Sequence, residues 1–244
     1  MSMSYIFREH IKQSLAVIAF LITLTACTSE SYDAGDGPNS YLTADLVLLH
    51  TSQDKSVRSA LLDDGTTLQF SNPFAQDWLT RPDSVYRALL YYDKTVAASD
   101  AAASNPTATS IVRARSVRPV PVLRPVEAED METLRTDPVG FESLWMSKNK
   151  SYINLSLLLK SGKTEADDAL HALGIVSHGT TTDADRRRTL HLTLYHDQGG
   201  VPAYYTVQQY VSIPTQLLEE ADTVELTINT YNGKKVMKVA VSNL

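Results

Sequence analysis

The residues of this chain that could do covalent, metal or recognition chemistry are one thiol, six histidines, a few carboxylates in turn-like settings and 12 tyrosines. The thiol, Cys27, follows Leu24, Thr25 and Ala26 at the end of an apolar run that begins at Leu15, with Arg8 and Lys12 upstream. That run is too short to span a bilayer and reads as the apolar core of an export signal. Small residues followed by cysteine suit the acceptor site of a bacterial lipoprotein signal. Cys27 is therefore expected to carry lipid and to open the mature chain. With the only cysteine committed to lipid, stability must come from packing and not from disulfides.

Metal chemistry finds little support. His191 and His196 are five apart on a strand-like stretch and point to opposite faces, and His171 and His178, seven apart, have the same difficulty. No metal and no cofactor is expected. Neither an HExxH nor a GxSxG pattern occurs, so nucleophilic catalysis has no visible nucleophile and no catalytic residue is assigned. Asp63, Asp64, Asp183 and Asp185 could be brought together as paired carboxylates, yet each sits where Asp is favoured for bonding its local turn backbone. Tyr152, Tyr195, Tyr204 and Tyr210 fall on faces expected to be wet, where they would offer an amphipathic platform to a sugar or a protein. The competing reading is that the same rings pack against another part of the chain.

Basic residues point away from nucleic acid. Arg113, Arg115, Arg118 and Arg124 would suit a strand-binding barrel, but the formal charge of −6 and the export signal oppose a nucleic-acid partner. They are read instead as a charged sheet edge that resists aggregation. Arg186, Arg187 and Arg188 are balanced by Asp183 and Asp185 in a turn.

The elements that would position these residues are strands. Hydrophobic residues at 43% and charged residues at 20% exclude wholesale disorder. After the signal (1–26), residues 27–40 are polar and acidic and serve as a tether. Ala44 to Thr51 is nearly all apolar, Ser56 to Leu62 and Thr66 to Phe70 flank a turn at Asp63, Asp64 and Gly65, and Ser84 to Asp93 and Thr109 to Val117 follow. Val96 to Ala108 is a loop. Five strands over 41–126 match a small closed barrel of the OB type. Pro119, Pro121 and Pro125 and the acids after them mark a boundary, with 127–140 as linker.

From 141 to 244 the alternation is clearer. Ile153, Leu155, Leu157 and Leu159 form a core face opposite Tyr152, Asn154, Ser156 and Lys160, expected to be largely wet. Stretches at 142–146, 170–176, 190–195, 204–213 and 224–229, with a hairpin at Asn232 and Gly233, bring the count to seven strands, a β-sandwich. Asp167 and Asp168 could instead form a helical turn.

The lipobox at Cys27, the strand Ala44 to His50 with Asp63, Asp64 and Gly65 after it, Ser143, Leu144 and Trp145 leading to Tyr152, Ile153, Asn154 and Leu155, and Leu192 to Gly200 followed by Tyr204 and Tyr205 together resemble the NigD-like lipoproteins of the Bacteroidetes. The resemblance implies an N-terminal OB domain and a C-terminal β-sandwich. It also implies a link to bacteriocin loci and a role in immunity, with no catalytic residues to carry over. The resulting expectation is an outer-membrane lipoprotein, surface-exposed or periplasm-facing, acting as a non-enzymatic binding or interaction module on an unknown protein or glycan. The alternatives are an envelope glycan enzyme and a structural envelope component.

Overall fold

The computed structural model describes residues 42–94, 110–163, 170–218 and 221–241. Cys27, the tether, the loop at 96–108 and Asp167 and Asp168 lie outside them. The first five strands are β1 (Leu42–Thr51), β2 (Val57–Leu62), β3 (Thr67–Phe74), β4 (Val85–Lys94) and β5 (Ser110–Pro119). They close into a barrel in the order β1-β2-β3-β5-β4, with β4 returning to β1. Alternation turns Val47, Leu49, Ala60, Leu68, Ala88 and Leu90 into one buried cluster, while Leu46 and Leu89 point out of it. Leu62, Asp63, Asp64, Gly65 and Thr66 make a tight turn because Gly65 takes φ +89, a left-handed backbone open to glycine at no cost. β3 continues through Pro73 as far as Phe74, beyond the sequence reading.

Parallel pairing of β3 with β5 closes the barrel, which corrects one expectation. Arg113, Arg115 and Arg118 do not guard a sheet edge, because a closed barrel has none. Instead Arg115 pairs with Asp93, and Arg118 lies over the Tyr91 ring and donates to its hydroxyl.

The remaining strands are β6 (Pro125–Glu127), β7 (Gly140–Met146), β8 (Tyr152–Ser161), β9 (Ala172–Thr182), β10 (Arg188–Asp197), β11 (Tyr205–Pro214), β12 (Thr223–Thr230) and β13 (Gly233–Ala240). They form a five-stranded sheet, β13-β12-β10-β9-β6, and a three-stranded sheet, β11-β8-β7. Leu155 and Leu157 of β8, Leu192 and Leu194 of β10 and Leu226 and Ile228 of β12 share one core between the sheets. The short β6 adds an eighth strand to the seven read from alternation. Gly233, with φ +102, makes the last hairpin possible.

The other face of β8 departs from expectation. Asn154 and Ser156 are buried, not wet. The barrel covers this face of the three-stranded sheet, and Leu46, Leu89 and Val120 form a small apolar cluster there with Tyr91, Trp145 and Tyr210. Barrel and sandwich belong to one compact unit. Among the described residues no helix is long and apolar enough to cross a membrane.

Candidate functional site

The junction between barrel and sandwich is built around Arg87, whose side chain is wholly buried. On β4, Ala88 and Leu90 face the barrel interior, so parity sends Arg87 and Leu89 outward towards the sandwich. A buried guanidinium is tolerable only if its donors are satisfied. Here Nη1 and Nη2 bind both carboxylate oxygens of Asp63 at 2.6 and 2.7 Å. Nη2 also reaches Asn154 Oδ1 and Nε reaches Ser212 Oγ, both at 3.2 Å, and Ser212 donates in turn to Asn154 at 2.7 Å. The Tyr152 ring lies 4.3 Å from the guanidinium carbon, a cation–π contact that completes the cage.

Backbone contacts reinforce this clasp. Asn149 N–H donates to the Asp63 carbonyl, Val120 N–H to Arg87, Ser212 N–H to Pro121 and Leu123 N–H to Ser212. The proline-bearing segment 119–125 is therefore pinned between the two halves.

Beside the clasp the halves part to leave a cleft of roughly 440 Å³. Its barrel wall carries Asp45, Leu46, Asp64, Leu89 and Tyr91, and its sandwich wall carries Glu142, Trp145, Lys148, Gln208 and Tyr210. Trp145 and Tyr210 meet edge to face, their ring centroids 6.2 Å apart. Hydrogen bonds from Ser156 and Gln208 hold the Glu142 carboxyl below its ordinary pKa. At Asp64 burial works to raise the pKa, but the Thr66 backbone N–H and side chain, with Lys148, outweigh it and the net shift is downward. Both acids are thus ionised acceptors at neutral pH. Asp45 accepts from the Tyr92 hydroxyl at 2.8 Å. The chemistry on offer is an aromatic floor with carboxylate rims.

The four singled-out tyrosines are not brought onto one surface. Tyr152 is in the Arg87 cage and Tyr210 is in the cleft, while Tyr204 is exposed ahead of β11 and Tyr195 lies on β10 of the other sheet, beside Gly174. Asp63 belongs to the clasp and Asp64 to the cleft. Asp183 caps its own turn through the N–H groups of Asp185 and Arg187.

Among the histidines, His191 and His196 do sit on opposite faces of β10. The fold pairs His196 with His171 instead. Their rings stack with Nδ1 of His171 3.0 Å from Nε2 of His196, and His196 Nδ1 lies 3.0 Å from the Asp137 carbonyl, to which it donates. His191 lies on the other face of β10, with Nδ1 3.2 Å from Glu225 and Nε2 2.8 Å from the Thr181 hydroxyl. Among the described residues no group of three metal-ligating side chains occurs. Sequence reasoning passed over Arg87, Asn154, Glu142, Trp145 and Gln208. Only Arg87, a cation amid Val85, Leu89 and Tyr91, carried a local signal.

Comparison with known proteins agrees with this architecture. Residues 122–241 match the NigD-like C-terminal beta sandwich domain. A NigD-like immunity protein from Bacteroides caccae superposes with a TM-score of 0.59 at 22% identity, over 81% of this chain and 91% of that one. A protein from Parabacteroides distasonis described as toxin-related gives 0.52 at 20% identity, over 81% and 92%. One from Bacteroides fragilis described as a lipoprotein gives 0.54 at 12%, over 82% and 98%. At such identities these neighbours speak for the fold. No protein of curated function matches the chain.

Proposed function

We propose that this chain, which belongs to the NigD-like family through its C-terminal β-sandwich, is a non-enzymatic binding module of the bacterial envelope whose ligand enters the cleft between barrel and sandwich. In its specific form the module confers immunity: it captures a bacteriocin before the toxin reaches its target. Lipid on Cys27 holds it to the outer membrane. The immunity and toxin-related descriptions of two structural neighbours support the first statement, and the lipoprotein description of a third supports the second.

The observation that carries the binding reading is the make-up of the cleft, where Trp145 and Tyr210 meet edge to face beside Glu142 and Gln208. Glycan hydrolysis needs one carboxyl held protonated by a raised pKa to serve as general acid. Glu142 and Asp64 are shifted the other way. Paired with Trp145, Tyr210 and Gln208, they make a recognition surface of rings and acceptors on walls fixed by the Arg87 clasp, where little ordering cost attends binding.

The test compares cells with and without the chain, challenged with bacteriocin-containing supernatants of related strains. Loss of the chain is expected to lower the killing dose at least about tenfold, with rescue by wild type but not by Trp145→Ala combined with Tyr210→Ala. Release of reducing ends from purified envelope glycans is expected at background. Glycan cleavage that Glu142→Gln abolishes would overturn the reading in favour of an enzyme.

A further inference from the structure

Exposed sheet edges template pairing, and β proteins guard them with charge, proline, bulges or short strands. The barrel closes on itself and has no edge. In the sandwich, β13 carries Lys234, Lys235 and Lys238. β6 is three residues long and holds Pro125 and Glu127, and β7 is bulged between Phe141 and Ser143. β11 carries no charge, for no residue from Tyr204 to Gln216 is charged, and its one proline, Pro214, stands at its far end. Its first half and the residue ahead of it are bare: Tyr204 is 78% exposed, Tyr205 50% and Val207 37%.

The second half of the same edge already accepts a strand. Ser212 N–H donates to Pro121 and Ser212 C=O accepts from Leu123, with Val122 running parallel to Ser212. Those bonds show that even-numbered residues of β11 turn their backbone donors and acceptors away from β8. Thr206 and Gln208 therefore present N–H and C=O groups outward, and they meet no strand partner among the described residues. At Gln208 the 118–120 segment makes no backbone bond to the strand among the described residues, and the two face each other across a gap of about 220 Å³.

We propose that this open half pairs antiparallel with the same strand of a second copy, about a two-fold axis through Val207. Residues facing each other in an antiparallel ladder share hydrogen-bonding parity. Thr206 then faces Gln208 of the second copy, and the reverse, and each pair exchanges two backbone hydrogen bonds. Val207 meets Val207 in the close, non-hydrogen-bonded position. Charge favours a second copy as the occupant. Copies of a chain of net charge −6 repel over most of their surface, but this strand opposes no like charges. Lys160 donates to Thr206 Oγ1 at 3.0 Å, and Glu142 accepts from the Gln208 amide. Setting Thr206 opposite Gln208 thus brings Lys160 of one copy towards Glu142 of the other.

The test uses the full-length chain with Cys27→Ser, which removes both the lipid acceptor and the only native thiol. Sedimentation over a roughly hundredfold concentration range is expected to show a monomer–dimer equilibrium. Val207→Lys, a change at a residue 37% exposed, is expected to leave the circular dichroism intact and to weaken the dimer at least about tenfold by opposing like charges. Val207→Cys in the same background is expected to form a disulfide-linked dimer on mild oxidation, because non-hydrogen-bonded pairs bring Cα atoms to about 4.5 Å. Val236→Cys on β13, 49% exposed, is expected not to. A monomer at every concentration, a dimer indifferent to Val207→Lys, or equal crosslinking through Val236→Cys would each overturn self-pairing.

Discussion

The clearest energetic commitment in the molecule is a single side chain. Arg87 gives up all hydration and recovers it through Asp63, Asn154, Ser212 and the Tyr152 ring. Removing one partner of a buried pair costs more than the pair contributes, because the other charge is stranded. Arg87→Ala is therefore expected to destabilise by about 3 kcal/mol, the low end for such pairs, because Asp63 keeps 18% of its side-chain exposure and water can partly replace its partner. Urea unfolding measures this, and a change below about 1 kcal/mol, the range of exposed pairs, would show the clasp to be incidental. Alternation in the sequence separates the two faces of a strand but not a polar face in water from a polar face docked on another polar face. Asn154 and Ser156 were legible as polar, and their burial was not. Asp63 was legible as a turn residue, and its bond to a strand 24 positions away was not.

At the scale of elements, local turn chemistry was legible because it depends only on neighbours: Gly65 and Gly233 end their hairpins with positive φ as their sequence context implies. The reach of β9 beyond Val176 to Thr182 was not, because its last residues are polar and largely exposed and only pairing with β10 makes them a strand. The segment around Asp137 was also hidden. β10 and β12 pair in parallel from Thr189 to Thr193, and beyond that 135–139 lies against both, bonding His196 on one side and Asn229 and Tyr231 on the other. The His171–His196 stack abuts this wedge through Asp137. Burial, then the neighbouring His196, depresses the His171 pKa. A histidine whose folded pKa is lowered binds fewer protons than the unfolded chain, so its contribution to stability is whole above the ordinary histidine value of about 6.5 and is lost as pH falls below it. Urea midpoints of wild type are accordingly expected to drop between neutral pH and mild acid more steeply than those of His171→Phe. Parallel profiles for the two would remove the stack from any account of acid stability.

Over the whole molecule, five strands in a barrel and a two-sheet sandwich were legible from strand count and period, whereas their union in one compact unit was not, since the prolines between them read equally well as an extended linker. The pinned segment 119–125, the Arg87 clasp and the Leu46, Leu89 and Val120 cluster make the two halves share polar and apolar contacts that neither can satisfy alone. If those contacts dominate, the halves should unfold as one cooperative body. The chain supplies its own reporters. Of its two tryptophans, Trp78 packs on the barrel core against Tyr86, and Trp145 sits on the sandwich side of the junction against Tyr210. Fluorescence of Trp145→Phe then follows the barrel and that of Trp78→Phe follows the sandwich. The two denaturation curves are expected to coincide in an otherwise native chain and to separate once Arg87→Met is added, because methionine fills the space but cannot bind Asp63, Asn154 or Ser212. Separate transitions before that substitution would mean that each half is stable by itself and that the two walls of the cleft are not held together by the clasp.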